Sequence, residues 1–363
     1  MTVEPVTLNP NARVLWRTPD SVQVELGERA VIVEGIGTDD VARLLRRDPA
    51  ATPGRTNAET STQLAAAQLD AAGFMVPAAS ARHHPGPPRL EAELGALRSR
   101  HGRAGAGLLA ARGHRVVLVT GGSRLGPMIA AILAGAGVGN ISVSSTGAVR
   151  LRDCGPGGLD PADEGEPFAA AAGRLLHRVA PEVNDQPAGP ELAADLVVVT
   201  ADGPVDPELS LSLLRTRRAH LLARVGAGRG VVGPLVIPGL SSCLECAELN
   251  RADRDQAWNA LSVQLATAQR FPAVDTALAT TVAGVAAMQA LAYLDGQPVA
   301  ALDGTLELVV PDWRLRRRSW PRHPECECQA LSAAGGAARE AGADREAGAD
   351  RDDASGRNVH GLS

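Results

Sequence analysis

Residues 115–145 read "RVVLVTGGSRLGPMIAAILAGAGVGNISVSS". The run from 115 to 119 is apolar without alternation, which suits a strand buried on both faces of a parallel sheet. Gly121 to Gly126 form a turn. Pro127 falls in the first turn of the helix that follows, where its missing N–H leaves no bond unmade. That helix should reach about Ala134 and stop at Gly135 and Gly137. "NISVSS" then supplies the next strand. Strand, glycine-rich turn, helix and strand make a βαβ unit, and this unit commits the region to an α/β sheet.

Working outward, "ADLVVVTAD" (194–202) is a second buried strand and "PELSLSLLRTRR" (207–218) a helix. "AHLLARVGAG" and "GVVGPLVIP" read as further strands. A long helical region, 255–295, breaks at Pro272, and "TLELVVP" with "WRLRRRSW" forms a hairpin. Thr276 to Leu294 is uncharged and Ala-rich, and we read it as a core helix rather than a membrane span. Before all this, "RVLWRTPDSVQVELGERAVIVEGI" (13–36) alternates like a three-stranded meander. Helices should follow it from Thr38 and from Thr60 or Ser61. "PAASARHHPGPP" (77–88) is a linker, and its His83 and His84 read as solvated rather than metal-bound. The division expected is a module over 1–76, a linker over 77–88, an α/β domain over 89–331 and a disordered tail over 332–363. That tail repeats "REAGAD" and lacks large apolar residues.

Composition sets further bounds. Aromatic residues are 2% of 363, so the core must be built from Ala, Val and Leu. The net charge of −5 argues against non-specific nucleic-acid binding. All 36 basic residues are arginine, so no mechanism here can use a lysine ammonium. "MTVEPVTLNP" has no basic start and no apolar run, and a cytoplasmic, reducing location is expected, without membrane attachment.

The chain has five cysteines, and four fall in two close pairs. Cys243 and Cys246 lie in "GLSSCLECAEL" (239–249), Cys326 and Cys328 in "RHPECECQA" (322–330). In a reducing compartment such pairs point to metal rather than to disulfides, and four thiolates suit tetrahedral zinc. A site with four cysteines has no open position, so the zinc would be structural. Cys154, in "RLRDCGPGGL", is left over. It is a candidate nucleophile, although a small buried thiol is the simpler reading.

A nucleotide-binding turn uses G-x-G-x-x-G. Here the letters are Gly121, Gly122, Ser123, Arg124, Leu125 and Gly126, with serine at the middle glycine. The Cβ of Ser123 narrows the space where backbone would meet phosphate, and Arg124 could compensate by reaching one. Alone, the turn suits a βα connection that binds nothing almost as well.

The combination resembles the ThiF family, the ubiquitin-activating-type adenylating enzymes, over roughly residues 113–330. The elements that carry it are "AGVGNISV", "LVVVTAD", the Pro-Gly before the first cysteine pair, and the distal "HPECEC". The resemblance implies a doubly wound, Rossmann-like α/β fold with structural zinc, a homodimer, and adenylation of a C-terminal carboxylate with ATP and Mg. The family's ribose-binding acidic position falls on Ser145, and a second family Asp falls on Gly147. No residue matches the family's catalytic Arg clearly, and its ATP-pocket Lys cannot exist here. Asp202 matches the metal-binding Asp. The implied nucleotide set is therefore Gly121, Gly122, Ser123, Arg124, Gly126, Ser145 and Asp202, with Arg124, Asp202 and Cys154 as candidate catalytic residues.

The N-terminal meander resembles the winged-helix-like, leader-peptide-binding modules of cyclodehydratase-associated ThiF-like proteins. These serve azoline-forming peptide maturation. That resemblance implies a peptide or small carrier protein as partner, added as a strand to a sheet edge, with a partner modification enzyme. Trp16 would line the groove or anchor the core. The expectation is a peptide-binding scaffold with a degenerate ATP site, and the alternative is an active adenylyltransferase. A nicotinamide or flavin enzyme fits less well, because no acidic ribose contact follows the second strand.

Overall fold

A computed structural model describes residues 6–45, 57–78, 86–186, 194–201, 205, 207–226, 228–267 and 274–329. His83, His84, Asp202 and the segment 332–363 lie outside the described residues. The chain divides into two units, residues 1–115 with 134–139, and residues 116–133 with 140–363.

The first unit contains β1 (Val6–Leu8), β2 (Arg13–Thr18), β3 (Ser21–Leu26), β4 (Arg29–Glu34), α1 (Thr38–Leu45), α2 (Asn57–Ala71), β5 (Met75–Pro77), α3 (Glu91–His101) and α4 (Gly105–Arg112). The meander is present: β2, β3 and β4 pair antiparallel, with Trp16 opposite Val22 and Val22 opposite Val33. Period-two alternation puts Val22, Val24 and Leu26 on one face, where they bury against Leu69 and Phe74. Trp16 shares that face but sits on the outer strand and stays 44% exposed, so it does not anchor the core. β1 and β5 form a separate antiparallel pair, Val6 opposite Pro77. Leu90, Leu94 and Leu97 pack with Leu109 of α4. Gly105 permits this, because a Cβ there would fall 2.7 Å from the backbone N of Arg98. The sequence opens its second domain at Arg89, whereas α3 and α4 group with the meander.

The second unit contains β6 (Val116–Thr120), α5 (Leu125–Gly135, its last two residues grouped with the first unit), β7 (Asn140–Ser144), α6 (Phe168–Val179), β8 (Leu196–Ala201), α7 (Pro207–Arg215), β9 (His220–Gly226), β10 (Arg229–Val236), α8 (Leu244–Ala252), α9 (Trp258–Thr267), α10 (Thr276–Leu294), β11 (Gly304–Val309) and β12 (Leu315–Ser319). The seven strands run in the order β12-β11-β10-β9-β8-β6-β7. β7, β6, β8 and β9 are parallel, and β10 to β12 continue the sheet antiparallel. The sheet is therefore mixed, because hairpins join β9 to β10 and β11 to β12.

Asp275 caps α10, accepting from the Leu278 N–H at 3.0 Å. By length and composition α10 could cross a membrane, and half of it is buried inside the protein. Val282 seats over β10 where Gly230 has no side chain, since a Cβ there would lie 2.2 Å from Val282 Cγ2. The outer strand β12, "LRRRS", is exposed throughout, and its charge blunts a free edge.

Candidate functional site

Two turns bring the paired cysteines together. Cys243 is the N-cap of α8, and its Sγ accepts the Cys246 N–H at 3.4 Å. The β11–β12 hairpin ends at Trp320, which is buried and donates its indole N–H to Thr305 Oγ1 at 2.9 Å. The chain then turns through His323, whose carbonyl accepts the Cys326 N–H at 3.1 Å. His323 is fixed in turn by Asp253 at 3.0 Å, at the end of α8.

The Sγ atoms of Cys243 and Cys246 are 3.7 Å apart, Cys243 and Cys326 3.5 Å, and Cys246 and Cys328 3.4 Å. All four lie within 4.8 Å of one another and all four are buried. A zinc–sulfur bond of about 2.3 Å implies a tetrahedral edge of about 3.8 Å, so this donor set fits the ion. Backbone N–H groups of Cys246, His323 and Cys328 point at the sulfurs of Cys243, Cys246 and Cys326, and each favours thiolate. The Cys243 thiol shares its proton with Cys246, which is drawn down to about 4 by that hydrogen bond, while Cys243 itself moves up. Burial pushes Cys326 up to about 12 and raises Cys328 as well. Four buried sulfurs cannot all ionise without a cation among them. A divalent ion would supply that charge, held by all four residues in a closed, structural site.

The glycine turn packs closely against the end of β8. Gly121 has φ +111°, and a Cβ on it would lie 1.9 Å from the Thr200 carbonyl oxygen, so only glycine fits. Ser123 is buried, and its Oγ accepts the Leu125 N–H at 3.3 Å, while its carbonyl accepts the Gly126 N–H. Arg124 donates to the Cys154 carbonyl at 2.6 Å and reaches Thr276 Oγ1 at 3.5 Å. Ser145 stands beside the turn, its Oγ 3.1 Å from the place a Cβ on Gly122 would take. Sequence reasoning thus gathers Gly121, Gly122, Ser123, Arg124, Gly126 and Ser145 at one end of the sheet. Asp202 follows Ala201, the last residue of β8, but is outside the described residues.

Cys154 is buried, and its thiol donates to the Asp160 carbonyl at 3.3 Å. Burial, then Asp153, Asp163 and Asp160, push its pKa up. This is the setting of a structural thiol, not of an activated nucleophile.

Sequence reasoning missed α8, whose first turn holds the first cysteine pair. "LECAELNRA" is short and its apolar periodicity weak, but a cysteine that caps a helix was a readable sign. It also missed Arg224 in β9, a charged residue inside "HLLARVG" whose Nε is buried without a hydrogen-bond partner among the described residues.

No protein-family model matches the sequence, and no curated protein matches it. Solved structures do match. E. coli MccB with AMPCPP and MccA superposes with a TM-score of 0.68 at 17% identity, covering 89% of this chain and 99% of that one. E. coli MccB with ATP gives 0.65 at 16% identity, over 89% and 99%. PaaA gives 0.56 at 13% identity, over 71% and 91%. The chain therefore has a mixed α/β, Rossmann-like fold of the ThiF type, with four cysteines gathered where a metal ion could sit.

Proposed function

We propose that this protein binds a peptide substrate in a peptide-modification system and that its nucleotide site is degenerate. The observation that carries the reading is the turn at Ser123. A phosphate cradle needs free N–H groups at the start of the helix. Here the Leu125 N–H is taken by Ser123 Oγ, and one terminal nitrogen of the Arg124 guanidinium is held by the Cys154 carbonyl, its buried Nε being left without a partner among the described residues. Serine at 145 and the lack of lysine remove two more contacts. Each lost charge-assisted hydrogen bond costs about 1.5–3 kcal/mol, so ATP binding should be weaker by several decades.

The peptide reading is supported by the fold similarity over nearly the whole chain to MccB, which has been solved with its peptide MccA. The meander offers two outer strands. β2 has a register shift between Trp16 and Thr18, which spoils it as a template. β4 is regular, and the exposed Ile32 lies along it. Gln68 of α2 donates to the Ile32 carbonyl at 3.0 Å, a bond that an added strand would replace with its own N–H. Leu64, one turn before Gln68, is 67% exposed. A peptide added to β4 would lay apolar side chains against Ile32 and Leu64. In this role the module works as a winged-helix-like leader binder, with a cyclodehydratase-type enzyme as partner.

The second reading is an active adenylyltransferase, favoured by the MccB structures that hold ATP and AMPCPP. ATP–pyrophosphate exchange in the presence of candidate precursor peptides separates the two. Peptide binding that weakens about tenfold or more in Leu64→Glu, with no exchange, is expected. Robust exchange would overturn the scaffold reading.

A further inference from the structure

Arg224 lies near the carboxyl end of β9, with its Cα opposite Ala201, the last residue of β8. Its Nε is buried and has no hydrogen-bond partner among the described residues. A buried guanidinium N–H without an acceptor is costly, and such a donor normally has one. Burial holds its pKa below the ordinary arginine value. On the other side Arg224 stands opposite Val231, which stands opposite Glu307 in β11, so these residues share one sheet face. Glu307 is taken by Arg229 at 2.7 Å and Arg318 at 3.6 Å. Above the face, Arg251 of α8 pairs with Glu248 and stacks on the rings of Trp320, at 4.6 Å, and Trp258, at 5.5 Å. Arg254 lies over Trp320 as well, at 5.2 Å.

Arg224, Arg229, Arg251 and Arg318 thus gather around two carboxylates, Glu307 and Glu248, with Arg254 beside them over Trp320. This positive group stands out in a chain of net charge −5. Stacking on tryptophan engages the flat face of a guanidinium and leaves its N–H edge free for an oxyanion. The place is right for a ligand, because open α/β sheets bind at the carboxyl ends of their parallel strands.

We propose that Arg224 and the arginines around it form a recognition site for carboxylate groups of the peptide substrate. This rests on the peptide-binding reading above and adds a substrate class to it, a peptide with acidic residues in the part that meets this face. A carboxylate fits the fork of Arg224 with two N–H bonds. A nucleotide phosphate is the other oxyanion source. It would belong at the glycine turn after β6, and β8 separates that strand from β9. Nucleic acid is disfavoured, because the cluster is small and set into the sheet rather than spread as a stripe.

The test uses the full chain at low salt, with a short synthetic peptide carrying three consecutive aspartates, its triasparagine twin, and inorganic pyrophosphate. By calorimetry the aspartate peptide should bind about tenfold tighter than its twin. Arg224→Gln should reduce that preference to below about threefold while zinc content and melting temperature are retained. The more exposed Arg229→Gln should lower it in the same direction and serves if the first variant fails to fold. Equal binding of the two peptides would overturn the proposal. So would pyrophosphate that displaces the aspartate peptide and binds about tenfold tighter than it, which would assign the arginines to a nucleotide. A missing ratio with intact binding sinks this inference alone, whereas no peptide binding at all sinks the peptide reading with it.

Discussion

Cys243 Sγ and Cys326 Sγ lie 3.5 Å apart although 83 positions separate them in the chain. The first is fixed by the N-terminus of α8 and the second by the exit of the β11–β12 hairpin. An ion held between them would clasp the antiparallel end of the sheet to the helix that follows β10.

Replacing Cys243 with Ser should therefore release metal. A structural zinc site contributes folding energy directly, because the unfolded chain has no preformed site. The variant should lose most of its zinc and about 3 kcal/mol or more of stability, a fall of about 6–12 °C in melting temperature. Elemental analysis and a thermal melt check both. Unchanged zinc and unchanged melting would exclude the site.

Gly121→Ala should be poorly tolerated. The position combines a positive φ with a Cβ placed 1.9 Å from the Thr200 carbonyl oxygen, so strain and clash add. We expect a loss of about 3 kcal/mol in urea denaturation, against no loss for Gly284→Ala in α10, where the added Cβ meets nothing within 4 Å and the backbone is helical.

The loop that carries Cys154 should give a pH signature. Arg174 donates to Asp163 at 2.9 Å and holds its carboxyl below the usual aspartate range. A lowered folded-state pKa contributes stability that is complete above the unfolded value of about 4 and is lost as pH falls through the folded value. Asp163→Asn should melt earlier than the parent at neutral pH, and the gap should begin to narrow below about pH 4 and close only below the lowered folded-state value. Because Arg174 is half exposed, high salt should narrow the gap as well. A gap that stays constant down to strongly acid pH would contradict the assignment.

Much of the sheet was legible because its strands are short apolar runs bounded by Gly, Pro or Asp. "VVLVT", "LVVVT" and "TLELV" announce themselves in this way. The metal cluster was legible because cysteine is scarce here, so two close pairs stand out. The β1–β5 pair was not, since three-residue strands with partners some seventy positions away leave no local period. α6 was readable in retrospect: Phe168, Ala171, Ala172, Leu175 and Leu176 follow helical spacing, but the alanines gave little contrast. Arg224 was hidden because a strand that alternates apolar and polar residues usually sends its arginine to solvent. Only the layer formed by α8 over that face shows that this one is covered.

The central claim is that the turn at Ser123 no longer cradles a nucleotide. Its most direct test is equilibrium binding of ATP with magnesium to the full chain. The account predicts a dissociation constant of about 1 mM or weaker, given two or three missing charged contacts. Binding at about 10 µM or tighter would contradict it and restore adenylation as the leading function.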